Sequence, residues 1–176
     1  LSTTEGVPIE LANPGKVDGK SYLSDSIGCV NKWSIASTPS GIYFIDNINR
    51  AIMRFNGQFD NLSDRLGFRK WAKSEFNSLD IWIPRSSIPY TAAYDRVNND
   101  ILFINGENCL AFSETLGQFS SFYSYEGTPF TISLEDRTIM TRKDYTNDGN
   151  YKLWLHNEGM YNEFFGHKEP FYTTIV

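Results

Sequence analysis

An all-β, mainly antiparallel fold is predicted by three observations. Aromatic residues make up 15% of the chain, with 13 Phe, 10 Tyr and 4 Trp, and such planar side chains suit pleated sheet surfaces better than helices. Short apolar runs alternate with turn residues along most of the sequence. Two segments also recur at one spacing, which points to repeated sheet units.

Residues 1 to 24 are rich in Thr, Gly, Pro, Asn and Ser and form an extended arm or loop. Residues 25–176 constitute a β-propeller-like domain or part of one. Its first strands are Trp33 to Ala36, Ile42 to Ile45 after Pro39-Ser40-Gly41, and Ala51 to Phe55 before Asn56-Gly57. Asn-Gly is a strong short-range hairpin signal. One helical insertion, about 61–77, interrupts the strands. Asn61 or Ser63 is its N-cap and Asp64 occupies its first turn. Leu62, Leu66, Phe68, Trp71, Ala72 and Phe76 form its apolar face. Arg65, Arg69, Lys70 and Lys73 form a solvated face, with docking of an acidic partner as the alternative.

Strands resume after Pro84 and Pro89, at Thr91 to Tyr94, Ile101 to Ile104, Cys109 to Phe112 and Phe119 to Tyr125. A further group is predicted at Phe130 to Leu134, Thr138 to Thr141, Tyr151 to Leu155 and Tyr161 to Phe165. The run Phe171 to Val176 closes the chain as a strand. Gly41-Ile42-Tyr43-Phe44-Ile45-Asp46 is similar to Asp100-Ile101-Leu102-Phe103-Ile104-Asn105. Gly57-Gln58-Phe59 recurs as Gly117-Gln118-Phe119, and the two offsets agree within one residue. Without the helical insertion the unit is about forty residues, the size of a four-stranded propeller blade. Two and a half to three such units are too few to close a propeller of about four to eight blades. The fold is therefore expected to be incomplete on its own. The chain starts on Leu1 and finishes on a strand-like run, so a piece of a longer polypeptide is expected.

A net charge of −5 argues against stable nucleic-acid binding, which needs a basic face to neutralise phosphates. An acidic wall would instead let a polyanion slide past. No apolar run reaches the roughly 18 residues a membrane-crossing helix needs, so no membrane insertion is expected. Cys29 and Cys109 sit among apolar neighbours and are expected as buried free thiols, although two cysteines would permit one bridge.

Few residue patterns point to chemistry. Ser24-Asp25-Ser26-Ile27-Gly28 approaches a nucleophile elbow but lacks the first Gly and precedes strands. His156 and His167 lack companions at zinc-ligand spacing, and His167 fits a turn histidine packed on aromatics. Asp144-Tyr145-Thr146-Asn147-Asp148-Gly149 places oxygens as a weak calcium loop would, yet Leu155 stands where the bidentate Glu belongs. A hairpin turn on Asp148-Gly149 is the simpler reading. Asp95 with Asp100, or Glu135 with Asp136, would be the carboxylate pairs of a glycoside hydrolase if a fold brought them to the required separation. No cofactor is expected. Trp71, Trp82, Tyr90, Tyr123, Tyr125 and Trp154 could stack on sugars. Trp82 and Tyr90, beside Pro84 and Pro89, are the best candidates for surface binding aromatics.

Ser26-Ile27-Gly28-Cys29-Val30-Asn31-Lys32-Trp33, Ser40 to Asp46 and Tyr161-Asn162-Glu163-Phe164-Phe165-Gly166 resemble the tail muzzle, or tail stabilisation, proteins of crAss-like, podovirus-type bacteriophages. The likeness runs from about residue 25 to the end, and such proteins are far longer. It implies a propeller-containing subunit of a homo-oligomeric ring in the virion, at the DNA exit channel of a short tail and facing the host. Implied partners are the remainder of the parent protein, symmetry-related copies, other tail proteins and host surface glycans. It implies no catalytic residues. A glycan-binding adhesin module and a β-propeller glycoside hydrolase are the competing readings. The first needs exposed aromatics in a polar groove. The second needs two carboxylates facing each other across a funnel.

Overall fold

The computed structural model describes residues 23–76, 90–105, 109–123, 125, 130–134, 137–143, 150–160 and 163–168. The arm up to residue 22, Trp82, Pro84, Pro89, the pair Glu135 and Asp136, the loop 144–149 and the closing run 169–176 lie outside the described residues.

Alternating side chains build the first sheet. β1 (Ile35–Thr38), β2 (Gly41–Asp46), β3 (Ala51–Phe55) and β4 (Phe59–Asn61) pair antiparallel in chain order. Tyr43 lies opposite Arg54, and Ile45 opposite Ile52. Tyr43, Ile45 and Ile52 enter the main core, while Phe44, Ala51 and Met53 pack on the opposite face with Ile27 and Cys29. β1 starts two residues later than predicted because Asn31 caps a 3-10 turn, Lys32–Ser34, through a bond from the Trp33 amide. The Asn56-Gly57 turn is a three-residue loop, with Gly57 at φ +97° and the Asn56 amide donating to the Gln58 carbonyl.

The helical insertion is two short helices rather than the single helix predicted. α1 (Leu62–Arg65) is capped by Asn61, whose side chain accepts from the Asp64 amide, and α2 (Arg69–Glu75) follows. Gly67 sits between them at φ +78°, a left-handed conformation that ends a helix. The break turns both helices so that Leu62, Ala72 and Phe76 are buried in one core.

The second sheet repeats the plan. β5 (Thr91–Asp95), β6 (Asp100–Ile104), β7 (Cys109–Ser113) and β8 (Gln118–Tyr123) pair in chain order, with a bulge at Ala111 and Phe112. Every residue of β5, β6 and β7 is buried, which is why these strands appear in sequence as unbroken apolar runs. Ile101 and Phe103 face the first sheet, and Leu102 and Ile104 face the third. The recurrence is positional: β2 and β6 are both second strands, and Phe59 and Phe119 both lie on fourth strands.

The third sheet has the order β11 (Tyr151–Leu155), β10 (Thr138–Lys143), β9 (Phe130–Ser133), followed by the short hairpin β12 (Glu163–Phe164) and β13 (His167–Lys168). Phe165 of that hairpin packs on Trp154 and Tyr125, against the core between the second and third sheets. Across the molecule, first strands lie side by side: β1 beside β5, and β5 beside β9. Among the described residues, three antiparallel sheets, besides the β12–β13 hairpin, are thus stacked in chain order around one line of adjacent first strands.

Candidate functional site

Two polar clasps cross between sheets at their turns. At the end of β5 the Asp95 carboxylate accepts from the Val97 amide at 3.0 Å, Asn98 Nδ2 at 2.8 Å and Asn157 Nδ2 at 2.8 Å. His156 Nε2 lies 3.4 Å from its Oδ2. Burial alone would raise this carboxyl, but donation from His156, Asn157 and Asn98 outweighs it and holds Asp95 at about 2. Tyr125 sets its ring at right angles to His156, 5.5 Å away. The clasp therefore ties the second sheet to the residues that follow β11.

The second clasp joins the first two sheets. Thr38 Oγ1 donates to Glu114 Oε1 at 2.6 Å, and the Ser40 hydroxyl donates to the same oxygen. Between β5 and the β9–β10 hairpin side-chain hydroxyls stand in for a backbone ladder. Ser133 Oγ and Thr138 Oγ1 both donate to the Tyr94 carbonyl, at 2.9 and 3.1 Å, and the Thr131 amide donates to Thr91 Oγ1 at 3.2 Å. These bonds satisfy strand-edge groups that burial would otherwise penalise.

The same turn chemistry is used twice. Asp46 Oδ1 accepts from the Ile48 amide at 3.0 Å, and Asn49 Nδ2 donates to its Oδ2 at 2.7 Å, matching Asp95 with Val97 and Asn98. Arg50 and Asn99 close the two turns with φ of 53° and 57°. The recurrence of Asp-x-[Ile/Val]-Asn at 46–49 and 95–98, which the sequence reading missed, is a signal that could have found the Asp95 turn. The distant partners His156 and Asn157 carry no local signal because they are brought in by packing.

Asp100 lies opposite Asp95 in the ladder. Burial raises its carboxyl, partly countered by hydrogen bonds from Ser113 and Tyr123, and the Tyr123 hydroxyl donates to it at 3.3 Å. Asp95 and Asp100 are 2% and 6% exposed, so this carboxylate pair is built into the stacked sheets and does not face a funnel. His156 is committed to Asp95, and among the described residues no group of three His, Cys, Asp or Glu side chains is placed to hold a metal. An open cleft of about 680 Å³ beside β11 is lined by Asn98, Trp154, His156, Asn157 and Phe165 among others.

Tyr90 was expected at the surface and is instead buried in the main core. Its ring meets Phe76 edge-on at 5.3 Å and its hydroxyl donates to Glu75 Oε1 at 2.5 Å. The reason is position: Tyr90 leads directly into β5, and Asn31 Nδ2 fixes its carbonyl at 2.7 Å. Trp71 packs against Phe68, Phe76 and Phe122, and Trp154 against Phe165, so these rings serve packing. Ser24 Oγ accepts from the Ser26 and Ile27 amides and shapes a turn; no helix follows it as an elbow would require. Cys29 and Cys109 are separate free thiols, the first half-buried and the second buried. Burial pushes Cys109 up to about 12. Arg65 and Arg69 pair with Asp60 and Asp64 on the exposed helix surface.

The site is thus a set of inter-sheet clasps on a stacked β-architecture. The Crassvirus muzzle protein family matches residues 1–144. Along its full 176 residues the chain is 46% identical to the muzzle protein of Bacteroides phage crAss001, of whose length it spans 12%. With this match the chain belongs to the Crassvirus muzzle protein family.

Proposed function

We propose that this chain is a structural portion of a virion tail muzzle, a host-facing homo-oligomeric ring at the DNA exit channel, and that it acts by assembly without catalysis. In this reading the three sheets are successive blades of a β-propeller-like body. The observation that carries it is the second sheet, whose first three strands are buried on both faces, between its neighbours. Sheets closed on both sides by further sheets make a rigid wall, and rigidity is what a conduit requires. Asp95 and His156 are engaged with one another inside that wall. Membership of the muzzle family supports the placement in a tail, and the acidic balance of the chain suits passage of a polyanion without adhesion.

The test is proteomic and structural examination of purified virions, with light scattering on the muzzle polypeptide. Peptides of this chain at ring stoichiometry, and density for the stacked sheets around the exit channel, are the expected result. Absence of the chain from intact particles, or a polypeptide that remains monomeric at every concentration and in every particle preparation, would overturn it. Of the two aromatics a glycan-binding reading would use, Tyr90 is core and Trp82 lies outside the described residues.

A further inference from the structure

We infer that the outer face of the third sheet is the seat of a further β-sheet of the same polypeptide. Alternation on β11 sends Trp154 inwards and leaves Tyr151, Leu153 and Leu155 on the opposite face. Those three are 56%, 74% and 43% exposed. Register extends the stripe, since Leu155 lies opposite Ile139 and Ile139 opposite Ile132. Five apolar side chains therefore share one sheet face. The corresponding side chains of the second sheet, Leu102 and Ile104, are sealed beneath the third sheet, so in this fold a face of that composition is an interior face. An apolar patch of this kind left in water marks an interaction site.

Three features select the occupant. Sheets are added in chain order along the line β1, β5, β9, so the face of β11 is where the next sheet would stack. The chain spans 12% of the crAss001 muzzle protein, and a polypeptide of that kind holds ample sequence for further sheets. The two end faces of the stack also differ. On the first sheet, Ile27 and Cys29 from the chain's own preceding segment lie over Phe44, Ala51 and Met53, and the face's edge residues Ile35 and Ile42 are 41% and 42% exposed, whereas Leu153 at the middle of β11 is 74% exposed. The inference depends on this stacking and not on placement at the tail, so the two fail separately.

The experiment uses the full-length muzzle polypeptide with Leu153→Cys in a Cys29→Ser background, labelled with a maleimide in native buffer and in urea. The expected native rate is at least about tenfold below the unfolded rate, because a covered side chain reacts only on local opening, and it is independent of protein concentration. Equal rates in the two states would overturn the inference. Protection that disappears on dilution would also overturn it, by showing that a second copy covers the face. Hydroxyl-radical oxidation of the unmodified polypeptide, read at Tyr151 and Leu153, makes the same test without a substitution. Protection of both residues is expected, and oxidation at the level of an unfolded control refutes it.

Discussion

Replacing Asp95 by Asn removes the charge at the centre of the clasp while keeping its shape, and the structure sets the size and pH dependence of the effect. The folded carboxyl lies at about 2 against an ordinary 3.8. At about 1.4 kcal/mol per pH unit this gap corresponds to about 2.5 kcal/mol. A carboxyl held low when folded stabilises the protein above its ordinary value and loses that contribution as pH falls towards the folded value. The advantage of the native chain over Asp95→Asn is therefore present above about pH 4 and fades by about pH 2. The figure is an upper one, because the variant also relieves Asp100, the cross-strand carboxyl that burial and the Asp95 charge raise. Asp100 works in the opposite sense, since ionising it costs stability as pH rises, so the difference between the two proteins is the informative quantity. Urea unfolding followed by tryptophan fluorescence, between about pH 6 and pH 2, measures it. A difference that stays constant across that range, or one below about 0.5 kcal/mol at neutral pH, would refute the clasp.

Truncation of Phe112, which is 1% exposed and packs with its ring 5.5 Å from both Tyr43 (tilted) and Phe119 (edge-on), is expected to cost about 3–5 kcal/mol as Phe112→Ala. Phe122→Ala, at a ring 52% exposed, should cost about 1 kcal/mol or less in the same urea titration. Equal losses would show that the seam between the first two sheets is not a core. Gly41→Ala places a Cβ 2.7 Å from the Phe55 carbonyl oxygen at φ +148°, so a loss of about 1–3 kcal/mol is expected; a neutral melting temperature would contradict the close approach. Cys109, raised to about 12 by burial, should resist alkylation near pH 8 in native buffer and react fully in urea, as read by intact mass. Stoichiometric native labelling at Cys109 would place it outside the core.

The two clasps act at different seams. Glu114 fixes the first sheet to the second through Thr38 and Ser40, and Asp95 fixes the second to the third through His156 and Asn157. Both sit at turns, where a few hydrogen bonds set the angle between sheets whose apolar faces would otherwise slide over one another. A stack of sheets built this way takes its shape from polar contacts and its stability from the interior.

Strand identity was written in the local pattern. Ile42 to Ile45, Ala51 to Phe55, Ile101 to Ile104 and Tyr151 to Leu155 lie within the observed strands, because β-branched and aromatic residues between turn formers have few other low-energy options. The Asn61 cap was equally local, needing one side chain and an amide three residues on. Gly67 divided the predicted helix since packing rewarded the bend: it lets Leu62 and Phe76 reach the same core, and periodicity alone cannot weigh that. Tyr90 shows the same limit, for its neighbouring prolines suggest a surface loop while its ring fills space between α2 and β5. Among the described residues, the sequence by itself determined the all-β class, most of the strands and their turns, and the repeated four-strand unit, each set by interactions within a few residues. Only the tertiary structure decided which faces are sealed, which aromatics are core and that Asp95 meets His156, since those depend on contacts between residues some sixty positions apart whose meeting is selected by the whole packed core.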